Sequence, residues 1–142
     1  MKFWDGSAIV PLVVSEVASR AVRRLYRDDP VIVAWWGTEL ECASAIARRQ
    51  REGVLPAAVA LDALDRLAAL RRGWHEVEPG EELRESARRF VRVHPLRAGD
   101  ALQLAAALRA AEGRPPTLAL VSLDDRLVAA ARSEGFITLI PA

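Results

Sequence analysis

Lys2-Phe3-Trp4-Asp5-Gly6-Ser7-Ala8-Ile9-Val10 decides the reading of the fold. Lys2 to Trp4 reads as a short strand, Asp5-Gly6-Ser7 turns the chain, and a helical pattern follows to about Arg27. Pro11 stands near enough to the helix start to be tolerated there, or it breaks off a first short turn. The same order of strand, acid and helix returns near the C-terminus. Thr117 to Val121 reads as a strand, and Asp124 or Asp125 opens a helix to about Glu134.

The segments between these two units keep the alternation. Asp28-Asp29-Pro30 is a turn, and Val31 to Ala34 reads as a buried strand, apolar on both faces. Thr38-Glu39-Leu40-Glu41 opens a helix that runs to about Arg51 and stops at Gly53. Pro56 begins an amphipathic helix to about Arg72, with apolar residues at Val59, Leu64, Leu67 and Leu70. Trp74 to Val77 reads as a third strand, Glu81 to Val91 as a helix broken by His94-Pro95, and Phe136 to Ile140 as a fifth strand. Asp100 to Ala111 has a nearly all-apolar body, as expected of a central, buried helix. Strands alternating with helices predict an α/β domain with a parallel sheet. A length of 142 residues fits one domain, residues 1–142, with room for a sizeable core.

Composition narrows the class. The net charge is +1, so no global basic field announces nucleic acid. Of 20 cationic residues only Lys2 is lysine, and arginine suits bidentate phosphate contacts. One cysteine, Cys42, leaves neither an internal disulfide nor a cysteine-based zinc site. No apolar run is long enough to span a membrane. The N-terminus meets Asp5 too early for a signal peptide, so a cytoplasmic location is expected.

Four acids stand at helix starts: Asp5, Glu41, Asp100 and Asp124. Each has a purely structural explanation. Asp5 and Asp124 suit N-caps, Thr38 and Glu41 form a T-x-x-E capping box, and Asp100 sits where the helix dipole favours negative charge. In a parallel sheet all four nevertheless fall at the carboxyl edge, where ligands of open α/β sheets bind. Clustered oxygens of this kind attract hard divalent cations, Mg²⁺ above all, and one or two ions could then serve phosphodiester hydrolysis. Spacing does not give strand order, which decides whether the four acids meet. Glu39 rivals Glu41, and Asp125 rivals Asp124.

A resemblance supplies the order. Phe3-Trp4-Asp5-Gly6-Ser7-Ala8-Ile9-Val10 resembles the opening of PIN domains. Glu41-Cys42-Ala43-Ser44-Ala45-Ile46-Ala47-Arg48-Arg49 is similar to the Glu-containing helix of that family. Leu96-Arg97-Ala98-Gly99-Asp100-Ala101-Leu102-Gln103-Leu104-Ala105 and Val121-Ser122-Leu123-Asp124-Asp125-Arg126-Leu127 resemble its third and fourth motifs. Size and motif style resemble the VapC toxins of toxin–antitoxin pairs. The resemblance implies a three-layer α/β/α domain with a five-stranded parallel sheet in order 3-2-1-4-5. It further implies a Mg²⁺- or Mn²⁺-dependent endoribonuclease, a homodimer, and inhibition by a cognate antitoxin. Carried onto this chain, Asp5, Glu41 and Asp100 become metal ligands, Asp124 the fourth acid, and Ser7 a hydrogen-bonding support. Gly6 departs from the family, in which many members carry Thr or Ser at this point.

Other residues extend or limit that reading. Glu41, Ala45 and Arg48 share one helix face, so Arg48 is a candidate RNA-phosphate ligand, as are Arg97 and Arg126 beside acidic motifs. Trp35 and Trp36 end a strand near the active edge, where core or dimer packing competes with base stacking. Trp4 and Trp74 are expected in the core. His75 and His94 have no nucleophile partner and are expected in surface or packing roles. The helix from Pro56 to Arg72 suits a dimer or antitoxin surface as well as it suits the core. The chief alternative function is a PIN-like module that binds RNA or protein without cleaving it. Phosphotransfer enzymes fit poorly: Asp5-Gly6-Ser7 lacks the second Asp of a D-x-D pair, no early acidic pair exists, and no glycine-rich phosphate loop is present.

Overall fold

A computed structural model describes residues 1–142. Five strands form one parallel sheet: β1 (Lys2–Trp4), β2 (Ile32–Trp35), β3 (His75–Val77), β4 (Leu120–Val121) and β5 (Thr138–Leu139). Their order is β3-β2-β1-β4-β5, as the resemblance implies. Phe3 pairs in register with Val33 on one side and with Leu120 on the other, which makes β1 the central strand. The chain adds β2 and β3 on one side of β1, then crosses to add β4 and β5 on the other. The carboxyl ends of β1 and β4 therefore flank the switch point of the sheet.

Alternating side chains feed two separate cores. Phe3, Val33, Trp35 and Leu120 pack beneath α5 (Glu81–Val93), α6 (Ala98–Ala110) and α7 (Asp125–Ser133). Trp4, Ile32, Ala34 and Val121 pack beneath α1 (Gly6–Val13), α2 (Ser19–Asp28), α3 (Thr38–Arg51) and α4 (Ala57–Gly73). Helices thus cover both faces of the sheet. None is long and apolar enough to cross a membrane. Trp4 is fully buried and Trp74 nearly so, as expected of core residues.

Several sequence expectations are corrected. The helix expected to run to Arg27 is two helices, α1 and α2, because α1 ends where Val13, Val14 and Ser15 follow Pro11. Ser19 stabilises the break: its hydroxyl donates to the Val14 carbonyl (2.9 Å) and accepts from the Glu16 N–H (2.8 Å). On α4 the buried stripe is Ala60, Ala63 and Leu67, while Val59 faces solvent. Leu67 is buried as expected, and Leu64 and Leu70 pack partly buried against the same core, so Val59 alone departs from the expected stripe. Trp35 is buried, but Trp36 is 54% exposed, so core packing holds for the first of the pair only. His94 packs against Phe90 and bonds Glu134 (2.7 Å), whereas His75 is exposed on edge strand β3.

Two glycines mark the helix boundaries differently. Gly53 has φ +78°, a left-handed conformation that ends α3 at little steric cost. Gly37, in the turn from β2 to α3, is required by space: a Cβ there would stand 2.6 Å from Nε1 of the buried Trp35 indole. Gly37→Ala should therefore destabilise the protein by about 1–3 kcal/mol, an overpacking cost. Gly73→Ala, with nothing within 4 Å of its would-be Cβ at the end of α4, should be neutral or stabilising by up to about 1 kcal/mol. Urea unfolding of both variants checks the contrast, and an equal effect at the two positions would contradict the packing at Trp35.

Candidate active site

The four acids arrive at one cleft by different routes. Asp5 follows β1 directly and is 5% exposed. Glu41 lies in the first turn of α3, Asp100 in the first turn of α6, and Asp124 caps α7. The cleft holds about 400 Å³ and is lined by all four, together with Ser7, Gln103, Arg48, Arg49 and Glu16. An adjoining cleft shares Asp100 and Asp124 and adds Arg97, Asp125 and Arg126. The candidate arginines thus stand on two sides of the acids. Glu41, Ala45 and Arg48 face the same cleft, as their spacing predicts.

Two hydroxyls, half-buried Ser7 and buried Ser122, and one buried amide set the carboxylates in place. Ser7 Oγ donates to Asp5 Oδ1 (2.7 Å) and accepts from the Leu123 N–H (2.8 Å), tying the α1 turn to the end of β4. Ser122, fully buried, lies 3.4 Å from Ser7 and accepts from the Asp124 N–H (3.0 Å). Asp124 Oδ1 accepts from the N–H groups of Arg126 (2.9 Å) and Leu127 (3.1 Å). One carboxylate therefore both caps α7 and faces the cleft.

Gln103, 2% exposed, donates from Nε2 to Glu41 Oε2 and to Thr38 Oγ1, both at 2.9 Å. This overturns the capping-box expectation for Thr38 and Glu41. The N-cap of α3 is Gly37, which has no side chain to cap with, and Thr38 lies one residue inside the helix, where Gln103 on the facing helix holds both Thr38 and Glu41. Asp5 occupies the N-cap position of α1 but makes no cap, since its carboxylate is held by Ser7 instead.

The two rivals separate. Glu39 pairs outward with Arg71 (3.1 Å), leaving Glu41 to the cleft. Asp125 lines only the adjoining cleft, while Asp124 lines both. Glu41 is open to solvent as a residue, but its carboxylate sits against backbone: a Cβ on Gly99 would stand 3.4 Å from Oε1, and one on Gly6 3.7 Å from Oε2. A Cβ at Gly6 would meet Glu41 and Cys42 only at ordinary contact distance.

Crowding perturbs the acids. Burial pushes Asp5 from 3.8 up to about 7, Asp124 adds to this, and the hydroxyls of Ser7 and Ser122 oppose it. Burial and Asp100 push Glu41 up against the Gln103 bond. Burial and Asp124 push Asp100 up against Arg97 and Arg126. The neighbouring Cys42 thiol is also raised, by burial first and then by Asp5, Glu41 and Glu39. Asp5, Asp124, Asp100 and Glu41 therefore form one chain of mutual repulsion.

No three His, Cys, Asp or Glu side chains stand close enough to cage an ion by themselves. The donor set instead fits a hydrated hard cation, which takes one or two carboxylates directly and keeps several waters. Gln103 lines the same cleft, and its Oε1 is a buried acceptor with no donor.

Sequence reasoning missed Gln103, Ser122, Arg49 and Glu16. Gln103 is the only polar residue between Asp100 and Arg109 of its helix, and Ser122 the only polar residue between β4 and its acids. Both signals were available. Arg49 and Glu16, joined at 2.7 Å, gave none, because only the fold brings them together.

The Asp5 shift sets a pH dependence in the metal-free chain. Between 3.8 and about 7 the folded state keeps a proton on Asp5 that the unfolded state has released. Raising pH through that window therefore favours unfolding, by up to about 4 kcal/mol in total. Thermal unfolding in EDTA should show this loss in the wild type, and Asp5→Asn should remove most of it. Identical slopes in the two proteins would contradict the shift.

Comparisons with known proteins agree with the architecture. The sequence model of the PIN domain matches residues 2–133. No curated protein sequence matches the chain. Among solved structures, Mycobacterium tuberculosis VapC20, described as a sarcin–ricin loop cleaving toxin, is 21% identical over 96% of this chain and 97% of its own, with a TM-score of 0.70. A chain of a toxin–antitoxin complex from Klebsiella pneumoniae is 12% identical over 100% of this chain and 98% of its own, with a TM-score of 0.69. PAE2754 from Pyrobaculum aerophilum is 22% identical over 96% and 82%, with a TM-score of 0.64. At these identities the likeness is one of fold. The family match runs from the first strand to the end of α7, and on that match this chain belongs to the PIN domain family.

Proposed function

We propose that this chain, a single PIN domain over residues 1–142, is a Mg²⁺- or Mn²⁺-dependent endoribonuclease of the VapC toxin type. The observation that carries the reading is the meeting of Asp5, Glu41, Asp100 and Asp124 from four separate segments in one cleft. Supporting it, one similar structure is described as a sarcin–ricin loop cleaving toxin and another as a toxin–antitoxin complex. By the same reading the protein is cytoplasmic, homodimeric and neutralised by a cognate antitoxin.

Asp5, Glu41 and Asp100 would hold the cation, directly or through water, with Asp124 as the fourth acid. The bound cation would relieve the repulsion among the acids, polarise the phosphodiester and lower the pKa of an attacking water. The chain's own residues do the rest. Ser7 and Ser122 hold Asp5 at the end of the central strand. Gln103 holds Glu41 against α6. Arg48 on one side, and Arg97 and Arg126 on the other, bind RNA phosphates and keep the strand over the acids. Protonation of the acids removes the cation's ligands, so activity falls as pH falls.

The test is cleavage of total RNA by the purified protein with Mg²⁺, Mn²⁺ or EDTA, beside Asp5→Asn. Discrete, metal-dependent fragments absent from the variant are expected. RNA binding without turnover under any metal would instead favour a non-catalytic binding module. Gln103→Leu should lower activity about 10–100-fold through a loosened Glu41, with the fold retained by circular dichroism. Arg48→Ala should shallow the salt dependence of RNA binding by about 0.7 per lost contact, and an unchanged slope would remove Arg48 from the interface.

A further inference from the structure

Helix α2 carries Arg20, Arg23, Arg24 and Arg27. At spacings of three, four and seven these lie on one face, opposite the buried Val22. All four are exposed, and none forms an ion pair. The contrast with α5 is direct. There Arg84 and Arg88 are held by Glu81, and Arg89 by Glu134. Three of the four arginines of α5 are thus paired with carboxylates, Arg92 alone being free, whereas none of the four on α2 is paired.

The stripe is also aimed. Glu16, three residues before α2, lines the acid cleft and pairs there with Arg49. The helix ends at Asp28, next to Asp29, which bonds Lys2 at the start of β1. From Arg20 to Arg27 the stripe therefore runs about 10 Å, away from the acid cleft and towards the opposite edge of the sheet. Arg20, Arg23 and Arg27 border a cleft of about 430 Å³ with the half-buried Tyr26.

We propose that this arginine face is a second phosphate-binding surface, which holds the RNA that flanks the segment lying in the acid cleft. The choice of RNA rests on the nuclease reading. Continuity with the cleft favours RNA over an acidic protein, because Glu16, which lines the cleft and pairs with Arg49, stands three residues before α2. Planar guanidinium groups free of carboxylates suit phosphate oxygens, and no base-specific contact is needed.

The test compares the full-length protein with Arg20→Gln/Arg23→Gln/Arg27→Gln and with a control, Arg84→Gln/Arg88→Gln/Arg92→Gln. Both triple variants remove three positive charges from exposed helix positions, and glutamine keeps helix propensity. Binding of a random-sequence RNA of about thirty nucleotides is measured in EDTA across a salt series, where no cleavage occurs. The α2 variant should bind roughly tenfold more weakly, with a salt slope shallower by about 2, and the α5 control should match the wild type. Equal losses in both variants, or none in the α2 variant, would overturn the proposal. A loss of poly-glutamate binding with RNA binding intact would overturn it in favour of an acidic protein partner. Cleavage of total RNA by the wild type with Mg²⁺ is scored in parallel. If that fails while the α2-specific loss persists, the nuclease reading falls and the RNA surface stands.

Discussion

Repulsion among four carboxylates at the switch point of the sheet is the constraint on which the rest of this structure depends. Asp5 is buried, and Asp124 stands near enough to raise it. Asp100 and Glu41 extend the same repulsion across the cleft. A protein does not concentrate charge of one sign without a device to hold it, and here the devices are visible. They are Ser7 and Ser122 under Asp5, Gln103 under Glu41, and the N-terminus of α7 under Asp124. Ser122 and Gln103 each place a polar side chain in a buried position that an apolar residue would otherwise fill.

The fold makes the concentration possible without building it from neighbouring residues. A parallel sheet sends the ends of β1 and β4 to the same edge, and the crossover places them side by side. Helix α6, running back against the strands, begins at that edge too. Two cores on opposite faces anchor the strands from both sides, so the short β1 and the two-residue β4 are held by packing more than by length. The nuclease reading uses this rigidity: acids on strand ends and first helical turns move little, while the exposed arginines around them are free to follow a flexible strand.

Much of this was legible in the sequence. Elements with an unambiguous period and a clear stop, such as β1, α3 and α6, lie where the pattern put them to within two residues. The strand order came only from resemblance to a family, because periodicity carries no information about which strands are neighbours. The errors have two physical causes. At Thr38 a buried amide from another helix, a long-range contact, overrode a local capping rule. At the break between α1 and α2 a local side-chain bond, Ser19 to Val14 and Glu16, competed with the helix. Gln103 was readable in principle, as the one polar residue in the apolar stretch between Asp100 and Arg109, while the Arg49–Glu16 pair was not, since nothing local links residues so far apart.

The central claim is that the four acids form one coupled cation site. Its most direct test is calorimetric titration of the metal-free protein with Mn²⁺ near pH 6, in buffers of different ionisation enthalpy, so that released protons are counted. The account predicts saturable binding coupled to proton release, since burial keeps Asp5 protonated until a cation replaces its proton, and a smaller release from Asp5→Asn. Binding with no proton release, or no saturable binding at all, would contradict it.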